Sequence, residues 1–141
     1  MELNLITKLV VSIAICFSLN SCTKAEGEGG TANIRGRIYA KYYNKSVTTL
    51  YEEKYAPKEN VYIIYGDAVT YGNDQDSNYD GYYEFKYLRP GKYKIYAYSR
   101  DTTGASVGLV NQYAPPIAIV QEIEITKSGE TVNVPDISII K

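Results

Sequence analysis

Residues 80–93 read Asp80-Gly81-Tyr82-Tyr83-Glu84-Phe85-Lys86-Tyr87-Leu88-Arg89-Pro90-Gly91-Lys92-Tyr93, and this stretch decides the fold. Asp80-Gly81 opens it with a hairpin turn, because glycine accepts the positive φ that such turns require. From Tyr82 to Tyr87 the side chains alternate, with Tyr83 and Phe85 on one face and Glu84 and Lys86 on the other. That period of two is the mark of a strand with one buried face. Pro90-Gly91 then makes a tight reversal. Lys92 to Ser99 resumes the alternation, grouping Tyr93, Ile95 and Ala97 with Lys94 on the reverse. Tyr83, Phe85, Leu88 and Tyr93 can together fill one core face.

The same period extends outward over residues 33–141. Ile34, Gly36, Ile38, Ala40 and Tyr42 share a face opposite Arg35, Arg37 and Lys41. Asn60 to Tyr65 is more continuously apolar and suits a central strand. Ile117, Ile119, Ile123 and Ile125 alternate with Glu122 and Glu124. Val132 and Val134 precede Pro135-Asp136, after which Ile137 and Ile139 continue one residue out of phase, so a bulge or an edge is expected at Pro135. Lys127-Ser128-Gly129 is a further turn signal. No stretch reads as a long amphipathic helix, and Leu50 to Tyr55 has room for about one helical turn. The expected fold is all-β: a single antiparallel β-sandwich of about seven strands.

Residues 80–93 also resemble the core signature of transthyretin-like (prealbumin-like) sandwiches, D-G-x-Y/F-x-F-x-x-L-x-P-G-x-Y. Carboxypeptidase regulatory-like domains and collagen-adhesin B-type repeats share this pattern most closely. The likeness extends to a preceding strand such as Ile34–Ala40, to an Ala56-Pro57…Val61 segment, and to two final strands around a polar turn between Ile123 and Ile139. It implies a fold that hosts many roles rather than one activity. Adhesin repeats often carry a Lys–Asn isopeptide assisted by a buried Glu, but Ala97 stands in the acid's place here. Lys41 and Asn133, the imaginable partners, therefore lack a relay. The hydroxyisourate hydrolases and intradiol dioxygenases of this fold depend on histidine, and this chain has none.

The N-terminal residues carry a different signal. Lys8 precedes the apolar run Leu9-Val10-Val11-Ser12-Ile13-Ala14-Ile15-Cys16-Phe17. This run is shorter than the roughly 20 residues of a membrane-spanning helix and suits a signal-peptide core. Leu19-Asn20-Ser21-Cys22 resembles the bacterial lipobox, which implies cleavage before Cys22 and acylation of its thiol. Residues 1–21 are thus expected to be a signal peptide, 22–32 a flexible, glycine-rich lipid tether, and 33–141 the sandwich. Two or three acyl chains on Cys22 would make membrane attachment durable. Glu26 and Glu28 resemble the surface-export signals of Bacteroidota lipoproteins. An outer-membrane anchor is expected, facing either the periplasm or the cell surface.

Composition excludes several chemistries. Histidine is absent, so Ser-His-Asp and Cys-His systems and histidine-based metal centres cannot be built. Both cysteines, Cys16 and Cys22, lie outside the expected domain, leaving it without a disulfide. Charge is balanced at 15 Lys+Arg against 16 Asp+Glu, which gives no footprint for nucleic acid. The carboxylate pairs Glu52/Glu53 and Glu122/Glu124 either point apart on a strand or share an exposed face. No catalytic residue, cofactor or resident metal is expected.

The remaining candidates are binding features. Asp76-Ser77-Asn78-Tyr79-Asp80-Gly81 matches the first half of a calcium loop, although Tyr87 occupies the twelfth position where a bidentate Glu belongs. Its alternative reading is a polar loop entering a hairpin. Tyr62, Tyr82, Tyr96 and Tyr98 fall on faces opposite the expected core, where they can stack on a sugar, anchor a protein or cover a second sheet face. The long connection Asn44–Lys58 is either a binding loop or a tolerated insertion. Asp101-Thr102-Thr103 resembles a Bacteroidota O-glycosylation motif on Thr102. The expected function is a non-catalytic, membrane-anchored envelope accessory or adhesion module with a protein or glycan partner.

Overall fold

The computed structural model describes residues 25–141 and places nine strands in two facing sheets. The strands are β1 Glu28–Tyr43, β2 Leu50–Tyr55, β3 Asn60–Tyr65, β4 Asn73–Asp76, β5 Tyr82–Leu88, β6 Gly91–Ser99, β7 Ile117–Ile125, β8 Thr131–Asn133 and β9 Ile137–Ile140. One sheet is built on β1, with β2, β5, β8 and β9 around it. The other runs β4-β3-β6-β7, antiparallel throughout. The expected all-β sandwich is the observed fold. Residues 1–21, expected to be a signal peptide, and Cys22 lie outside the described residues.

β1 is long because it serves four partners. Ile38 donates its N–H to the Gly81 carbonyl (2.8 Å), and its own carbonyl accepts from Ala56 N–H (2.9 Å). Both polar groups of one strand residue face the same edge, so β5 and β2 follow each other along that edge. β8 and β9 pair with β1 on its other edge, in parallel, and are the exception to the antiparallel pattern. Ile34 faces Val132 and Ile38 faces Ile137, so β1 advances four residues while the returning segment advances five. The extra residue falls between Asn133 and Ile137, around Pro135, where the phase change predicts a bulge or an edge.

The core lies where the period-two readings put it. Ile34, Ile38, Ala40, Val61, Ile63, Tyr83, Leu88, Tyr93, Ile95, Ile125, Ile137 and Ile139 are buried. Each large aliphatic among them contributes about 1.5–3 kcal/mol over its exposed state. Gly36 on β1 is paired with Tyr83, and a side chain there would collide with the Tyr83 ring.

Two expectations are corrected. Leu50–Tyr55 forms β2 and not a helical turn; it pairs antiparallel with Tyr39–Tyr43. All six of its residues are exposed, because it pairs with the part of β1 beyond the β5 hairpin. Backbone pairing and edge contacts hold it: Tyr39 meets Tyr55 at 5.4 Å, and Arg37 lies 4.9 Å over the Tyr55 ring. The second correction concerns the tether. β1 begins at Glu28 and Ala32 is fully buried, so residues 28–32 belong to the sandwich.

The pairing also gives the molecule two distinct ends. Glu28 faces Leu88, Gly91 faces Ile125, and Ile63 faces Asn73. The start of β1 and the β3–β4, β5–β6 and β7–β8 turns therefore share a near end. The β1–β2 turn, the β4–β5 turn and the 100–116 connection share the far end.

Candidate recognition surface

β3 and β6 are neighbours, and their register puts Tyr62 directly opposite Tyr96 on the outer face. The two rings stack with centroids 4.9 Å apart and planes 13° from parallel. Tyr98, two residues along β6 on the same face, meets both rings edge-on at 5.6 Å. Tyr71 comes from the β3–β4 turn and meets Tyr62 edge-on at 5.0 Å. Such offset and edge-to-face pairs contribute about 0.5–1.5 kcal/mol each beyond burial. Tyr96 is 9% exposed, whereas Tyr98 and Tyr71 are 43% and 50% exposed. The centre of the cluster is packed and its margins are open.

Burial sets the chemistry of these rings. The Tyr96 hydroxyl is pushed up to about 12 by burial and then by Tyr98, and Tyr62 is raised chiefly by burial and then by Asp74. Tyr62 and Tyr96 therefore present neutral phenols at physiological pH. Asn60 Nδ2 donates to the Tyr62 hydroxyl at 3.1 Å and fixes that ring's tilt.

β7 carries the surface to the sheet edge. Val120 lies opposite Tyr96 and Ala118 opposite Tyr98, and both are exposed. Toward the near end the same face turns charged, with Lys94 opposite Glu122 and Lys92 opposite Glu124. With Gly66 and Asp67 these side chains line a shallow groove. At the far end the 100–116 connection exposes Val107, Leu109 and Tyr113, while Tyr51 and Tyr79 stand out from β2 and the β4–β5 turn.

The chain leaves the sandwich at the opposite, near end, and it is held firmly there. Gly27 N–H donates to the Tyr93 hydroxyl (3.0 Å), and its carbonyl accepts from Arg89 N–H (2.9 Å). Glu28 Oε1 accepts from Tyr65 Oη (3.1 Å) and Asn73 Nδ2 (2.9 Å). Burial and this carboxylate push Tyr65 up to about 12. Hydrogen bonds from three strands and the β5–β6 turn thus lock Gly27 and Glu28 to the domain.

Of the tyrosines singled out from sequence, Tyr62, Tyr96 and Tyr98 come together and Tyr82 does not. Tyr82 lies on the other sheet, opposite Arg37, in a shallow hollow with Asn133 and Asp136. The Asp76–Gly81 segment works as a turn: Asn78 Oδ1 accepts from the N–H groups of Asp80 and Tyr82, both at 2.9 Å. Among the described residues no group of three acidic or sulfur ligands converges there or elsewhere. Lys41 pairs with Ile140 and Asn133 with Arg35, six residues apart along β1 and so about 20 Å distant. Thr102 is half-buried beside an Asx turn in which Asp101 accepts from Thr103 N–H and Oγ1. Those bonds hold the Asp101 carboxyl below its usual range. Glu52 and Glu53 stand on exposed β2.

Sequence reasoning missed Tyr71, because a turn tyrosine carries no period to place it. It also missed the exposure of Ile117, Ala118 and Val120, which the alternation of β7 assigned only by half. Compared with known proteins, the chain matches no family model and no curated protein.

Proposed function

We propose that this protein is a lipid-anchored, non-catalytic module of the bacterial outer membrane that contacts a protein partner through its tyrosine face and far end. The observation that carries the reading is the polarity of the fold. Three residue steps, about 11 Å of chain at most, separate Cys22 from Ala25, where the described chain meets the near end. An acyl group on Cys22 would hold that end beside the bilayer and present the opposite end outward. The exposed Tyr51, Tyr79, Leu109 and Tyr113 lie at that outward end. Aromatic side chains with open margins and packed centres are the usual anchors of protein interfaces.

A second reading is glycan binding by the same tyrosines. The packing argues for the protein reading, because the stack takes up one face each of Tyr62 and Tyr96, and the open Tyr98 and Tyr71 rings stand steeply to Tyr62 and extend no flat platform for a sugar. Protease treatment of intact and lysed cells tests the proposal, with Cys22→Ala as control. Cleavage of the domain on intact cells only when Cys22 is present supports surface display. Protection until lysis with membrane retention turns the search to periplasmic partners. A wild-type domain found in the soluble fraction overturns the proposal.

A further inference from the structure

We infer that the free edge of β7 accepts an extended strand from another protein, with basic side chains facing Glu122 and Glu124 and apolar ones facing Val120 and Ala118. The inference deepens the proposed recognition role and rests on it.

β7 ends its sheet, and among the described residues no backbone hydrogen bond reaches it from the side away from β6. Its register with β6 runs unbroken from Gly91–Ile125 to Ser99–Ile117. Folded proteins blunt such edges with short length, charge, proline or a bulge. β4 is a four-residue edge of Asn73-Asp74-Gln75-Asp76, and β2 carries Glu52, Glu53 and Lys54. β7 is nine residues long and has none of these devices between Ile117 and Gln121. Ile117 and Val120 are 43% and 47% exposed. An added strand would satisfy the edge's amides and carbonyls and cover this apolar half.

The charged half specifies the occupant. Glu122 and Glu124 are exposed and point to the outer face. Lys94 and Lys92 sit across from them, yet among the described residues no ammonium comes within ion-pairing distance of either carboxylate. Cross-strand pairs of opposite charge stabilise a sheet and like pairs destabilise it. An incoming strand with lysine or arginine at two alternate positions, followed by apolar residues at the next two, therefore complements the face.

A second copy of this chain fits less well. Antiparallel self-pairing centred on Gln121 sets Val120 against Glu122 and Ala118 against Glu124, which leaves both carboxylates without a cation. It also sends the two N-termini to opposite ends of the joined sheet, away from a shared membrane.

The test uses the full chain in detergent and the peptide Thr-Lys-Val-Lys-Thr-Val-Val-Val-Thr, with a counterpart carrying glutamate for both lysines. Amide hydrogen exchange across the chain is read by NMR. The expected result is slowed exchange at alternate residues of β7 with the lysine peptide only. In an E122K/E124K variant the lysine peptide should bind about tenfold more weakly, and the glutamate peptide should gain. No protection of β7 at millimolar peptide overturns the inference, as does equal binding of the two peptides. Self-association of the peptide-free chain through β7 overturns it in favour of a second copy. Membrane fractionation is measured separately, so peptide binding by an unanchored chain would remove the membrane role and leave the strand site standing.

Discussion

Tyr62 and Tyr96 face each other across adjacent strands, and their rings stack 4.9 Å apart at 13°. They join two roles in one contact, since the stack braces the outer face of the second sheet and sets the floor of the proposed recognition surface. Tyr62→Ala should cost about 1–3 kcal/mol of stability. A double-mutant cycle with Tyr96→Ala should return a coupling of about 0.5–1.5 kcal/mol. Urea denaturation of the four proteins checks both values; additive losses would show that the rings act independently.

The Tyr83 hydroxyl is buried and has no hydrogen-bond partner among the described residues. A buried, unpaired hydroxyl costs about 1–3 kcal/mol. Tyr83→Phe removes the cost and keeps the ring that Gly36 accommodates. The variant should gain about 1 kcal/mol and melt a few degrees higher. An unchanged or lower midpoint in calorimetry would mean that the hydroxyl is satisfied in solution.

Gly81 has φ +71°, and a Cβ there would lie 2.7 Å from the Ile38 carbonyl, where β5 gives way to β2 along β1. Gly108 has φ +72°, and a Cβ there would meet no non-adjacent atom of the described residues within 4 Å. Both pay about 1–2 kcal/mol for a left-handed alanine, but only Gly81→Ala must also move backbone. Gly81→Ala should therefore be clearly the more destabilising of the two by thermal melting, and equal losses would contradict the crowding at Ile38.

Much of this fold was legible because burial writes itself into sequence. Ile34 and Ile38, Tyr83 and Phe85, and Tyr93 and Ile95 each fall two or four residues apart, and every one is buried. The phase slip at Pro135 foretold the change of register between β8 and β9. β2 and β4 escaped for the converse reason. Leu50–Tyr55 is exposed throughout and Asn73–Asp76 is polar, so neither shows an apolar face although both pair by backbone. The cluster was half legible. Alternation placed Tyr62, Tyr96 and Tyr98 on outer faces, but only the β3–β6 register shows that they touch and that Tyr82 lies elsewhere.

The buried phenols make the fold sensitive to alkali. Tyr96 and Tyr65 are each raised from 10.0 to about 12, and Tyr83 and Tyr93 are raised as well, all chiefly by burial. Their folded values lie above those of the unfolded chain. The stability they represent is complete below pH 10 and is lost as pH rises through the folded values. Tyrosinate absorbance should rise in a late step that coincides with loss of circular dichroism. Full ionisation with the fold intact would contradict the burial of these rings.

The membrane claim meets its most direct test at Cys22. Cells fed an alkyne fatty acid, then fractionated, report whether this residue carries lipid and whether lipid holds the protein to membranes. The expected result is a labelled wild-type protein in the outer-membrane fraction, and an unlabelled Cys22→Ala protein that has left it. A wild-type protein without label, or a Cys22→Ala protein that stays equally membrane-bound, would contradict it.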